Sequence, residues 1–173
     1  MYENNFPHKR YKYTFDFLKT HIPKGTKILD LGVKNPFSEI MIENGYEVKN
    51  TNGEDLDTDT STIENSDADI ITAFEIFEHL LSPFTVLKSI KTNKLVASVP
   101  LKLWFAPAYR SKTDAWDRHF HEFEDWQFDW LLEKTGWKIK ARHKWANPTK
   151  KIGIRPILRW FTPRYYIIYA ERD

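Results

Sequence analysis

Residues 27–50, KILDLGVKNPFSEIMIENGYEVKN, limit the possible folds of this chain more than any other stretch. Residues 27–32 are a short apolar run of the type that forms a buried strand, ending in Gly32. Residues 37–43 then set Phe37, Ile40 and Met41 at helical spacing until Asn44-Gly45 stops them. Residues 46–50 read as a second strand. Strand, helix and strand in so short a span make a βαβ unit, which requires parallel strands joined by a right-handed crossover.

The pattern repeats further along. Residues 68–74, ADIITAF, read as a strand, residues 83–90 as a helix, and residues 94–99, KLVASV, as a strand ended by Pro100. An opening helix over residues 11–21 places Tyr11, Phe15 and Leu18 on one face and ends at Pro23-Lys24-Gly25. Residues 124–135 put Trp126, Trp130 and Leu131 on one helical face, closed by Gly136. Two β-rich runs follow, residues 137–145 and 164–170, joined by a connection that Pro148, Pro156 and Pro163 mark. With no repeat and no low-complexity tract, the expectation is one domain over residues 1–173, built on an open, mostly parallel α/β sheet.

Composition narrows the chemistry. Cysteine is absent, which removes disulfides, thiolate nucleophiles and Cys-ligated zinc. Mean hydropathy is −0.59, no apolar run is long enough to span a bilayer, and residues 1–13 show no secretory h-region, so a cytoplasmic location is expected. Charge is unevenly placed. Between residues 50 and 87 there is no Lys or Arg among many carboxylates, whereas Lys138, Lys140, Arg142, Lys144, Lys150, Lys151, Arg155, Arg159 and Arg164 follow one another without an acid. The two regions either attract each other or are solvated; a basic, aromatic face for nucleic acid is the alternative, disfavoured by a net charge of only +2.

Four stretches in this order carry a resemblance: ILDLG at residues 28–32, DADIITAFEIFEHLLSPFTVLKSI at 67–90, KLVASVP at 94–100, and RHFHEFEDWQFDWLLEKTGWKI at 118–139. Together the chain resembles the class I S-adenosylmethionine-dependent methyltransferases, in particular their small-molecule branch. The resemblance implies a Rossmann-like methyltransferase fold with helices on both faces of a seven-stranded sheet whose last strand is antiparallel. It also implies S-adenosylmethionine as cofactor, bound over the carboxyl ends of the first strands, where open α/β sheets place their ligands.

Carried over residue by residue, Asp30 and Gly32 fall where the family holds the methionine part of the cofactor. Asp30 equally suits a turn cap and Gly32 a permissive backbone angle. Lys34 and Pro36 stand where relatives keep glycines; Lys34 can pair with a carboxylate of the cofactor or of a neighbour, and Pro36 suits a helix start. Asn52 occupies the place of the ribose-binding acid, with Glu54, Asp55 and Asp57 as substitutes. Residues 52–67 are short for the helix and strand that relatives place there, so the sheet is expected to be trimmed. Phe74 and Glu75 follow on the cofactor side.

His79 of Glu78-His79-Leu80 falls near the transferable methyl group, and His119 and His121 share one face of an extended segment. These three are the candidate catalytic bases, each also explicable as a hydrogen-bonded structural histidine. The H-x-H pair offers no obvious third ligand, so no metal is expected. Trp104, Phe105, Tyr109 and Trp116 lie in a long loop read as the acceptor-side lid. The leading expectation is methyl transfer to a small-molecule acceptor, without a membrane partner. The alternatives are a methyltransferase-like binding module without activity and, more weakly, a nucleic-acid-binding or modifying protein, although no Asn-Pro-Pro-Tyr-like motif of a base methylase is present.

Overall fold

The computed structural model describes residues 7–148 and 152–173. Its strands are β1 (Lys27–Asp30), β2 (Glu47–Asn50), β3 (Ile70–Phe74), β4 (Lys94–Pro100), β5 (Lys138–Ala146) and β6 (Pro163–Glu171). They form one sheet in the order β2-β1-β3-β4-β6-β5. The first four run parallel, and β6 is antiparallel to both β4 and β5. Only the last strand is therefore reversed, as expected. Among the described residues no strand lies between β2 and β3, where the chain holds only the one-turn helix α3 (Ser61–Glu64). The sheet has six strands, trimmed at the point where the sequence is short.

Alternate residues of the central strands feed two cores. Ile28, Ile70, Val96 and Ile167 pack under α1 (His8–His21) and α2 (Pro36–Glu43), against Leu18 and Met41. Leu29, Ile71, Ala97 and Ile168 face the other way, under α4 (Pro83–Ser89) and α5 (Asp125–Lys134), against Val86, Leu87, Phe128 and Leu132. Helices thus cover both faces, which is why these strands are apolar throughout and not alternating.

Three expectations need correction. The face of α5 that packs is Phe128 and Leu132, whereas Trp126 and Trp130 are exposed and meet each other at 4.7 Å between ring centroids. Both stripes have helical spacing; the indole stripe stays outside, where the Trp126 N–H donates to the Glu124 carboxylate at 2.8 Å. The connection between β5 and β6 contains a helix, α6 (Ile154–Phe161), because Pro156 sits in its first turn, where its missing N–H costs nothing. Finally, the basic strand β5 is not matched to the acidic stretch of residues 50–87. Lys138 pairs with Asp173, Lys140 with Glu171, Arg142 with Asp129 and Lys144 with Asp125, while Lys150 and Lys151 lie outside the described residues. Among the described residues no helix is long and apolar enough to cross a membrane.

At the carboxyl end of β1 the chain ties itself together. Asp30 is 2 % exposed, and its carboxylate accepts from Thr72 Oγ1 of β3 at 2.6 Å, Ser38 Oγ of α2 at 3.2 Å and Asn50 Nδ2 of β2 at 3.2 Å. Burial is the largest influence and lifts its pKa from 3.8 to about 6, although the three hydrogen bonds pull the other way. Between those two values the native chain holds a proton that the unfolded chain releases, so this group makes stability fall as pH rises. Urea unfolding should therefore show the wild type losing roughly 2–3 kcal/mol relative to Asp30→Asn between pH 4 and pH 6.5. Identical pH slopes for the two proteins would refute this.

Candidate active site

Beyond the carboxyl ends of the parallel strands the protein opens a cleft of about 1150 Å³. The β1–α2 turn forms one wall. Gly32 has φ +103 and its N–H donates to Thr51 Oγ1 at 2.8 Å, bringing backbone to the cleft surface. Past it, where further glycines were expected, the turn is held by a cap: the Asn35 side chain accepts from the N–H groups of Phe37 and Ser38, and Pro36 begins the helix. Lys34 is exposed at the mouth and pairs with Glu39 at 3.6 Å. Flexibility of the backbone reappears opposite. Gly53, with φ +89, lets the loop after β2 close onto the turn, since a Cβ there would stand 2.9 Å from Val33 Cγ1.

That loop supplies carboxylates. Glu54 and Asp55 line the cleft, and Glu54 accepts from the Asn52 N–H at 2.6 Å. Asn52 itself is exposed and does not line it. Asp57 reaches the cleft wall but spends both oxygens on the N–H groups of Leu81 and Ser82, each at 2.8 Å, which clamps the chain leaving the site. Asp30 touches the cleft only from beneath, its oxygens already occupied.

The floor is built by the chain after β3. Phe74 packs edge-on against Phe37 at 5.1 Å. Glu75 then adopts φ +58, unusual for a side-chain-bearing residue, while its N–H bonds the Ser98 carbonyl of β4 at 3.0 Å. The twist aims its carboxylate at Ser98 Oγ, 2.8 Å away, and at Arg10 of α1, 3.7 Å away. Burial raises the Glu75 pKa against the pull of Arg10. Glu78 follows in the 3-10 turn Phe77–His79, 1 % exposed, and burial together with the Glu75 charge holds its pKa well above the carboxylate range.

Histidines complete the floor. His79 lines the cleft, and its Nδ1 lies 3.1 Å from the Arg118 carbonyl. A carbonyl only accepts, so Nδ1 carries a hydrogen. His119 meets the His79 ring edge-on at 4.7 Å, behind the cleft lining, and burial drops its pKa from 6.5 to about 4, leaving it neutral at pH 7. His121 turns away, stacked on Phe123 at 5.5 Å with Nε2 3.4 Å from the Leu81 carbonyl. From the long loop, Tyr109 and Trp116 reach the rim, whereas Trp104 and Phe105 pack on each other outside it. The Tyr109 hydroxyl donates to Asp117 and its N–H to Glu122, which fixes the rim.

The structure thus brings Asp30, Gly32, Lys34, Asp55, Asp57, Phe74, Glu75, His79, Tyr109 and Trp116 to one cleft, and leaves Asn52, His119, His121, Trp104 and Phe105 off its lining. Sequence reasoning gave no site role to Arg10, Tyr11 and Thr14 of α1, which also line it; their helical spacing signals packing and nothing more. Gly53→Ala should lower stability by about 1–2 kcal/mol in urea unfolding, from backbone strain plus the Val33 contact. An unchanged midpoint would show that this loop does not depend on its glycine.

No protein-family model and no curated protein matches the chain. Solved structures do share its fold. The Burkholderia thailandensis 1,6-didemethyltoxoflavin-N1-methyltransferase, solved with 1,6-didemethyltoxoflavin and S-adenosylhomocysteine, is 13 % identical with a TM-score of 0.65, over 94 % of this chain and 78 % of that one. A Listeria monocytogenes protein described as an S-adenosylmethionine-dependent methyltransferase is 14 % identical with a TM-score of 0.64, over 95 % and 98 %. The [4+2]-cyclase SpnF is 12 % identical with a TM-score of 0.56, over 94 % and 81 %. The fold is that of the class I S-adenosylmethionine-dependent methyltransferases, and SpnF shows that the fold alone does not fix the reaction.

Proposed function

We propose that the protein transfers the methyl group of S-adenosylmethionine to a small-molecule acceptor. What carries the reading is the cleft: it lies at the strand ends of this fold, exposes backbone at Gly32, and among its charged lining residues carries more carboxylates than cations. Such a donor set suits a ligand that bears a sulfonium, an ammonium and ribose hydroxyls. Glu54 and Asp55, just past β2, offer acceptors to hydroxyl groups, while Arg10 and Lys34 offer cations to a carboxylate. The site residues therefore fit the cofactor, which when bound supplies an activated methyl group.

The chain's own part is binding, alignment and proton handling. Gly32 and Phe74 shape the cofactor side, and Tyr109, Trp116 and Phe120 form the rim that limits water. Of the three candidate histidines His79 alone lines the cleft, so handling of the acceptor falls to it, with His119 packed behind. The ring is oriented by the Arg118 carbonyl, which fixes the tautomer.

Calorimetric titration with S-adenosylmethionine and S-adenosylhomocysteine should give saturable binding of one molecule per chain. Glu54→Ala should weaken it about tenfold, as expected for loss of a charged hydrogen-bond acceptor. Absence of binding at millimolar cofactor would overturn the proposal.

A further inference from the structure

We infer that Glu78, His79 and His119 hold a divalent transition-metal ion at the floor of the cleft, with open coordination positions for a hydroxyl oxygen of the acceptor. The role given to the ion rests on the methyl-transfer reading; the site itself does not.

Each of the three residues offers one ligand atom, and these atoms all lie within 4.8 Å of one another. Glu78 Oε1 stands 3.8 Å from His79 Nε2. Among the described residues, two buried polar atoms of this cluster lack a hydrogen-bond partner: Glu78 Oε2, on a residue 1 % exposed, and His119 Nδ1. Orphaned atoms of this kind are rare in a folded protein and call for a ligand. That two of them fall in one cluster of three side chains is hard to explain by packing.

The surroundings are those of a metal centre. A ligating imidazole usually donates its second N–H to a carbonyl or carboxylate, which turns the free nitrogen toward the ion. His79 does this through Nδ1 and the Arg118 carbonyl at 3.1 Å. The loop that carries His119 is pinned to the same turn: the N–H groups of Phe120 and His121 donate to the Glu78 carbonyl at 2.8 and 3.2 Å. Ligands forty residues apart in sequence are therefore fixed relative to each other by backbone bonds. Glu75, held by Ser98 and Arg10, stays outside the set.

Two imidazoles and one carboxylate form a three-ligand centre with room for a further ligand, the arrangement of catalytic zinc and related first-row sites. Mixed nitrogen and oxygen donors favour Mn²⁺ to Zn²⁺ over Mg²⁺ or Ca²⁺, which take oxygen. Ligands on a tetrahedral zinc stand about 3.4 Å apart, so closing the cluster takes side-chain rotation and no backbone change. An ion here would bind an acceptor hydroxyl oxygen and lower its proton affinity, with the proton leaving to solvent. The expectation of no metal is replaced because the H-x-H segment supplies only His119, and the other two ligands, Glu78 and His79, come from the turn after β3.

The test uses the full chain, stripped with chelator and titrated with MnCl₂ or ZnCl₂ in the absence of S-adenosylmethionine. One ion should bind per chain, and Glu78→Gln and His119→Ala, each checked by circular dichroism, should weaken binding roughly tenfold or more. His143→Ala should leave it unchanged. In the wild type, substoichiometric Mn²⁺ should broaden the ring NMR signals of His79 and His119 before those of His8, His21 and His143, a readout that needs no variant. No saturable binding, equal affinity in both site variants, or broadening centred on the other histidines would overturn the site. Metal binding without S-adenosylmethionine binding would uphold the site and sink methyl transfer; the reverse would sink the site alone.

Discussion

The buried carboxylate of Asp30 is the joint on which the site depends. Its partners come from β2, β3 and α2, so one side chain links the three elements whose ends meet at the cleft. Asn50 extends the joint, donating also to the Gly32 carbonyl at 3.2 Å and to Ser38 Oγ at 3.1 Å. A network of this kind is worth most when every member is satisfied, because a buried polar group left without a partner costs more than the bond it would make. It also explains how a turn with a single glycine keeps its shape.

Strand order does the rest of the positioning. Because β1, β3 and β4 are parallel neighbours, the residues that leave their carboxyl ends converge on one edge, and Gly32, Glu75 and Ser98 meet there although they are widely separated in sequence. The antiparallel β6 returns the chain to the same edge. Arg164 at its start donates to the Leu101 carbonyl, which ties down the root of the long loop that forms the rim. Topology, not local sequence, thus makes the floor, the turn and the rim a single cleft.

The fold was legible because its signals are periodic and local. The apolar runs at residues 68–74 and 94–99 appear as β3 and β4 with ends displaced by two residues or fewer, and the reversed last strand followed from the resemblance. Two helical stripes of similar spacing in α5 could not be ranked, since period alone does not tell which side chains have a satisfied polar end outside. The site was legible where it lies on a motif, at Gly32 and His79, and illegible where it depends on tertiary approach. Arg10 lies on a helix whose spacing speaks only of packing, and the need for glycine at Gly53 comes from its approach to Val33, which no local pattern announces. Asn52 was placed by matching residues 47–48 to the second strand of the family, but the loop turns it outward, and Glu54 and Asp55, named as its substitutes, line the cleft.

The carboxylates behind the floor show what kind of site this is. Glu78 is buried and Glu75 nearly so; burial raises the pKa of both and the Glu75 charge raises that of Glu78 further, while Arg10 and Arg164 offset this only in part. Packing alone would be better served by apolar side chains of similar size, since replacing buried charges in this way is often stabilising. Glu75 moreover sits in a backbone conformation that costs of order 1–3 kcal/mol. Strain, two neighbouring acids and two unpartnered polar atoms occur within one short turn and its neighbour at residue 119. Unfavourable features concentrated in this way mark the place where binding, and not folding, restores the balance.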